Sequence, residues 1–319
     1  KLAIMEYLTS GITANADMYL TPDTMIEASR DCGYRTTVIG AVNNFTQSVE
    51  LLDEWYKKYH KKENLINFEL GFHAEYTTKK EILEGIADLA EKYKAPVYTH
   101  NSESESEVAQ CIERTKVTPT VYMDRLGIFN YGGGFYHCVH MTQNDLDIVK
   151  EHNISVITNP ASNLKLASGI APIDHMLKEG INLAIGTDGP ASNNCLDMFR
   201  EMFLVTALAK YRENDASAVD ALEVLKMATI GGAKAMNLTD CDVLAEGKEA
   251  DIIMIDLNQP NMQPIHNIQK NLVYSGSKQN VKLTMVAGKI LYENGEFFIG
   301  TDAYKIYEKA NDIAERIVK

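Results

Sequence analysis

The chain has 319 residues with 31 basic against 44 acidic side chains, a formal charge of -13. That balance argues against a nucleic-acid surface, which needs clustered Lys and Arg, and no apolar run approaches the roughly 18 residues of a membrane span. A small-molecule enzyme is the better default, and the chain is long enough to bury a large core.

Residues 1–8 read as the middle of an amphipathic helix and carry no initiator Met, so the expectation is a polypeptide incomplete at its N-terminus. Residues 12–19 read as a short strand, and Thr21-Pro22 opens a helix with Thr as cap and Pro at the first helical position. The unit repeats. Strand 35–40 is β-branched, and helix 48–60 carries Leu51, Leu52, Trp55 and Tyr59 on one face. Strand 66–73 ends in His73, and Thr78-Lys79-Lys80-Glu81 forms a capping box before Ile82, Ile86, Leu89 and Tyr93. Strand 97–100 ends in His100, with an acidic helix over 102–114.

Tyr131-Gly132-Gly133-Gly134 leads into the strand holding His137. It precedes a strand, where phosphate cradles precede a helix, so it reads as a turn. Thr142 caps helix 144–151, strand 154–159 follows, and helix 173–179 is closed by Gly180 before the strand Leu183-Ala184-Ile185-Gly186-Thr187-Asp188. Helices 195–211 and 218–235 complete this layer. Beyond Asn237 come short strands over 250–256, 271–274, 282–286 and 289–292, and an amphipathic helix over 303–318.

Seven strands alternating with helices predict an α/β fold with parallel pairing, a (β/α)8 TIM barrel over residues 1–236. A doubly wound open sheet is the alternative. Residues 237–319 predict a small β-sandwich appendage with a terminal helix. Five scattered cysteines (Cys32, Cys111, Cys138, Cys195, Cys241), none paired as C-x-x-C, point to a reducing, cytoplasmic compartment.

Reactive residues of such barrels stand at the C-terminal ends of the strands, as His73, His100, His137 and Asp188 do here. A hydrolytic zinc or iron site needs imidazole and carboxylate ligands and an open position for water. His100 and Asp188 have that chemistry. Glu103, three residues past His100, can face the same cavity as a proton shuttle, and His137 can orient the attacking water. The competing reading is structural: hydrogen-bonded strand-end histidines, with Glu103, Glu105 and Glu107 as a solvated helix start. His60, His140, His152, His175 and His266 carry no signal.

Taken together, His73-Ala74, His100-Asn101-Ser102-Glu103, His137-Cys138-Val139-His140, Asn159-Pro160-Ala161-Ser162-Asn163 and Gly186-Thr187-Asp188-Gly189-Pro190-Ala191-Ser192-Asn193-Asn194 resemble the amidohydrolase superfamily. The nearest group is that of the 5-methylthioadenosine/S-adenosylhomocysteine deaminases and chlorohydrolases, and the resemblance covers essentially the whole chain. It implies one divalent metal ion, zinc first, with iron, nickel or manganese as alternatives. His100, Asp188 and His137 would surround the metal. Asp188 would also be the general base, His137 would orient the water, and Glu103 would relay protons to a ring nitrogen. His73, Glu103, Asn159 and Asn163 would contact or shape the substrate.

The implied reaction is attack of metal-bound hydroxide on an amino-bearing ring carbon with release of ammonia. A chlorohydrolase or amidohydrolase acting on another heterocycle, or a non-catalytic binding protein, are the alternatives, and a homodimer is a possible assembly. The family's first barrel strand carries a His-x-His pair that supplies two ligands, and no such pair occurs among the eight histidines. The expectation is therefore a barrel lacking its first strand, with weak metal binding and negligible activity for the chain as it stands. The family's arginine after the third strand, which holds a homocysteine carboxylate, is also missing from Val38-Ile39-Gly40-Ala41-Val42-Asn43-Asn44. This favours methylthioadenosine, adenosine, guanine or another aminated heterocycle over S-adenosylhomocysteine.

Overall fold

The computed structural model describes residues 1–318. Among them, seven strands form one curled, wholly parallel sheet in sequence order: β1 (Ala14–Met18), β2 (Arg35–Ile39), β3 (Ile66–Ala74), β4 (Val97–Asn101), β5 (Gly133–His137), β6 (Ser155–Thr158) and β7 (Leu183–Ile185). This is the expected barrel-type alternation, and the two edges are β1 and β7. Side chains alternate across the sheet. Val38, Phe68, Leu70, Phe135 and Val156 point outward and pack with Leu52, Trp55, Leu83, Ile86, Leu146 and Val149 of the surrounding helices. Ile39, Tyr98 and Tyr136 point inward and pack with Ala16, Met18 and Ile157.

Register aligns the functional strand ends. His100 pairs with Tyr136 and Asn101 with His137 across β4 and β5, and Thr158 pairs with Ile185 across β6 and β7. The glycine run before β5 is required by this pairing: at Gly133 (φ 146°) a Cβ would stand 1.8 Å from the Val97 carbonyl oxygen.

The appendage is a four-stranded antiparallel sheet built from β8 (Ile252–Ile255), β9 (Val281–Val286), β10 (Lys289–Glu293) and β11 (Glu296–Phe297). The N-terminal helix Leu2–Thr9 packs on it: Ile4, Met5 and Leu8 share a cluster with Val286, Leu291, Ile299 and Ile306.

Local hydrogen bonding moves several elements from their expected positions. The stretch 271–274, read as a strand from its Leu-Val-Tyr content, is a wide helical turn, Asn271–Ser275. Asn267 caps the turn before it, accepting from the Lys270 amide at 3.0 Å, and local capping overrides β-propensity. The Thr78 to Glu81 capping box does not form. Thr78 Oγ1 donates to the Ala74 carbonyl at 2.8 Å, and Asn44 Oδ1 accepts from the Lys79 amide at 2.8 Å at the helix entrance. A genuine capping box sits at Ser104 and Glu107, so that helix begins at Glu105. No helix among the described residues is long and apolar enough to cross a membrane.

Candidate active site

The strand ends bring His73, His100, Asn159 and Asp188 onto the wall of one cavity of about 900 Å³, which is also lined by β1 and by Ala184 and Ile185 of β7. The histidine rings form a row. His73 and His100 are 5.0 Å apart between centroids, and His100 and His137 are 5.4 Å apart. Backbone strain accompanies the convergence: Ser102, His137, Cys138 and Asp188 all have φ between 50° and 72°, the left-handed region that such residues adopt only when their surroundings hold them there.

Each side chain is oriented by a second group. His100 Nδ1 donates to the His73 carbonyl at 2.8 Å, which leaves Nε2 free. His73 Nδ1 meets Thr77 Oγ1 at 2.9 Å. His137 is buried, its Nδ1 donating to Asn163 Oδ1 at 2.7 Å, while its Nε2 stands 3.7 Å from Glu103 Oε2. Ser168 Oγ donates to Glu103 Oε1 at 3.2 Å. Ser162 Oγ donates to Asp188 Oδ2 at 2.6 Å, and the Gly189 amide to Oδ1 at 2.7 Å.

Electrostatics set the protonation states. Burial, reinforced by the neighbouring His137 and His73, pushes the His100 imidazole down to about 3, so it is neutral at physiological pH. Burial likewise lowers His73. Burial pushes the Asp188 carboxyl up, but the Ser162 bond and the adjacent His137 outweigh it and hold the acid below its ordinary value. A neutral imidazole with a free nitrogen and an ionised carboxylate are metal-ligand chemistry, and the pinned His100 Nδ1 is the outer-shell bond such ligands use. His100 and Asp188 thus fit a divalent cation as two of its donors. No cluster of three or more His, Cys, Asp or Glu side chains suited to a metal is found among the described residues.

Glu103, His137 and Asn163 lie beside the cavity and do not line it, and they are linked to one another through the His137 ring. Glu107 has a role the sequence did not reveal. Its Oε1 accepts from the Ser102 amide at 3.0 Å and its Oε2 from the Glu103 amide at 3.0 Å, clamping the loop that carries Glu103. The Ser104-x-x-Glu107 spacing was the available signal. Ser168, 65 residues from Glu103, and the buried Glu201 offered none.

The amidohydrolase family model matches residues 1–291. The chain is 36% identical over 327 residues to the 5-methylthioadenosine/S-adenosylhomocysteine deaminase of Thermoanaerobacter pseudethanolicus, covering 99% of this chain and 76% of that protein. It is 35% identical to the 5'-deoxyadenosine deaminase of Methanopyrus kandleri, covering 99% of this chain and 74% of that one. A crystal structure of a zinc-bound adenosine deaminase from Xanthomonas campestris superposes with a TM-score of 0.94 at 32% identity, over 99% of this chain and 74% of that chain.

Proposed function

The chain belongs to the amidohydrolase family, and from that premise we propose that it is a hydrolytic deaminase of an aminated purine-like nucleoside, converting the amino-bearing ring carbon to a carbonyl with release of ammonia. The observation that carries the reading is the placement of the Glu103 carboxylate 3.7 Å from His137 Nε2, beside the cavity that holds His100 and Asp188. Deamination needs a ring nitrogen to gain a proton as the adjacent carbon is attacked, and simple displacement of a leaving group does not. The relatives' names support the substrate class, and the zinc in the related deaminase supports zinc as the metal here.

His100, through Nε2, and Asp188 would hold the metal, which when bound lowers the pKa of a coordinated water towards neutrality. Asp188, kept ionised by Ser162 and His137, accepts the proton of the attacking water. His137, its ring fixed by Asn163, orients that water and the oxygen it becomes. Glu103, steadied by Ser168 and by the Glu107 clamp, delivers a proton to the ring nitrogen and regains one from the added hydroxyl as the carbonyl forms, while Asp188 passes the proton it took from water to the departing amine, which leaves as ammonia. His73 and Asn159 present polar atoms along the wall for the substrate.

The test is ammonia release from a panel of aminopurine nucleosides by metal-replete protein. Glu103→Gln is expected to lower kcat by about 10²–10⁴-fold, the usual contribution of a positioned acid. Silence across the panel from protein that elemental analysis shows to hold its metal overturns the reading, whereas silence of metal-poor protein is the weak binding expected from the missing His-x-His pair.

A further inference from the structure

Glu201 lies on the helix Met198–Glu213, fully buried, and takes no part in the chemistry above. Its Oε2 accepts from the Ala161 amide at 3.0 Å, and its Oε1 accepts from Asn193 Nδ2 at 2.8 Å. These partners belong to two different short helices, Pro160–Lys165 in the connection after β6 and Pro190–Asn193 in the connection after β7. Ala161 stands beside Ser162, which holds Asp188, and two residues before Asn163, which holds His137. Asn193 Nδ2 also donates to the Thr187 carbonyl at 2.7 Å, immediately before Asp188.

Both partners of Glu201 are neutral donors, a backbone N–H and a carboxamide. Burial pushes its carboxyl up to about 7. A buried acid with neutral partners costs stability that a Leu or Met at this position would not. What the acid provides instead is two acceptors aimed at two loops. On the outer side the same loops are joined again, where Lys165 Nζ donates to the Ala191 carbonyl at 2.8 Å.

We propose that Glu201 is a positioning residue that clamps the loop after β6 to the loop after β7 and so fixes Asp188 relative to His137. The proposal rests on the catalytic roles assigned to those two residues. Its basis is geometric: Glu201→Gln keeps the shape but turns an NH₂ group towards one of two donors, so one arm of the clamp becomes a repulsive contact.

The experiment compares wild type, Glu201→Gln and Asn193→Ala, the last opening the clamp from its other end and serving if the first does not fold. Ammonia release, thermal melting and the imidazole Nδ1–H proton NMR signal of His137 are recorded for each. In both variants kcat is expected to fall about 10–100-fold with KM changed less than about threefold. The His137 signal, ordered by Asn163 in the wild type, is expected to shift or broaden. Val149→Ala, in the outer core on the helix Gln143–Glu151, is the control for a comparable loss of melting temperature and is expected to leave kcat and the signal unchanged. A wild-type His137 signal in both clamp variants overturns the proposal, whether or not activity falls. If wild-type protein shown to hold its metal deaminates nothing, the deaminase reading fails, and the His137 signal still decides the clamp.

Discussion

Ser162 Oγ donates to Asp188 Oδ2 at 2.6 Å, across 26 residues of sequence and from the loop after β6 to the loop after β7. One oxygen of the site acid is therefore engaged by the protein, and the Gly189 amide engages the other. Burial alone would push the Asp188 carboxyl up. The Ser162 bond leads the group of interactions that reverse this.

Removing that hydroxyl has a signed consequence. In Ser162→Ala the carboxyl rises, so if Asp188 is the base proposed above, the acid limb of the pH–rate profile moves to higher pH. The loss of an outer-shell partner is expected to lower kcat/KM or metal affinity about 10–100-fold. Steady-state kinetics from pH 4 to 9 and zinc titration by calorimetry check both. An unmoved acid limb would show that Asp188 does not titrate in the rate-limiting step.

The cavity mouth predicts substrate preference. Phe45 is 83% exposed, yet its loop is ordered by Asn43 Oδ1, which accepts from the Phe45 amide at 2.8 Å and the Thr46 amide at 3.2 Å. With Tyr19 and Leu20 it gives the opening an apolar rim, and the residues lining the cavity include Asp17 and Asp188 but no Lys or Arg. A substrate carboxylate meets no Lys or Arg among the described residues there, so a methylthio or 5'-deoxy nucleoside is expected to exceed S-adenosylhomocysteine in kcat/KM by about 100-fold. Phe45→Ala is expected to raise KM for the neutral substrate about tenfold through lost apolar contact. Parallel kinetics on the two substrates measure the ratio, and equal values would remove the rim from the account of specificity.

The site was legible where one element carries one residue. His73, His100 and His137 lie at the C-terminal ends of β3, β4 and β5 and Asp188 follows the end of β7, and parallel strands collect those ends on one face. What was not legible depends on tertiary contact. Ser168 reaches Glu103, Ser162 reaches Asp188 and Glu201 spans two loops only because the folded sheet brings those positions together. Glu107 looked like part of a solvated acidic run until its carboxylate was seen turned back onto the amides of Ser102 and Glu103. The turn Asn271–Ser275 escaped for a different, local reason, the capping by Asn267 and the bond from Asn271 Nδ2 to the Met262 carbonyl at 3.0 Å, which its Leu-Val-Tyr content does not reveal.

Glu69, inside the sheet on β3, makes stability depend on pH. Its Oε1 accepts from Asn67 Nδ2 at 2.8 Å, while Oε2 is buried without a hydrogen bond. Burial pushes its carboxyl from 4.5 to about 7. The folded state therefore holds this proton more tightly than the unfolded chain does, so the contribution to stability is full below the unfolded value. It is lost as pH rises through the window from 4.5 to about 7. Glu69→Gln carries no such charge and is expected to be more stable than wild type at pH 8 by up to about 3 kcal/mol, an advantage that disappears near pH 4. Urea unfolding of both proteins at the two pH values is the measurement. An equal difference at both would assign the effect to packing.

Arg35 joins the parallel sheet to the appendage, and its removal tests how strongly the two depend on each other. Its side chain is 5% exposed. Nε donates to Asp251 Oδ2 at 2.8 Å, and Nη2 to Asp251 Oδ1 at 2.9 Å and to Glu249 Oε2 at 2.6 Å. The Asp251 carboxylate, 4% exposed, also accepts from the Ala287 amide at 2.7 Å, so the ion pair reaches the turn between β9 and β10. Arg35→Met leaves that carboxylate buried without its cation, at a cost of about 3–5 kcal/mol. Asp251→Asn in the same chain removes the stranded charge while keeping an acceptor for the Ala287 amide, so the double variant is expected to recover most of the loss. Denaturant unfolding followed by both tryptophan fluorescence and circular dichroism separates two outcomes. Trp55, on the helix packed against β3, reports the barrel side alone. If the units 1–236 and 237–319 unfold together, the two signals coincide in every variant. If Arg35 is what couples them, the appendage melts first in Arg35→Met, and the transitions part only there.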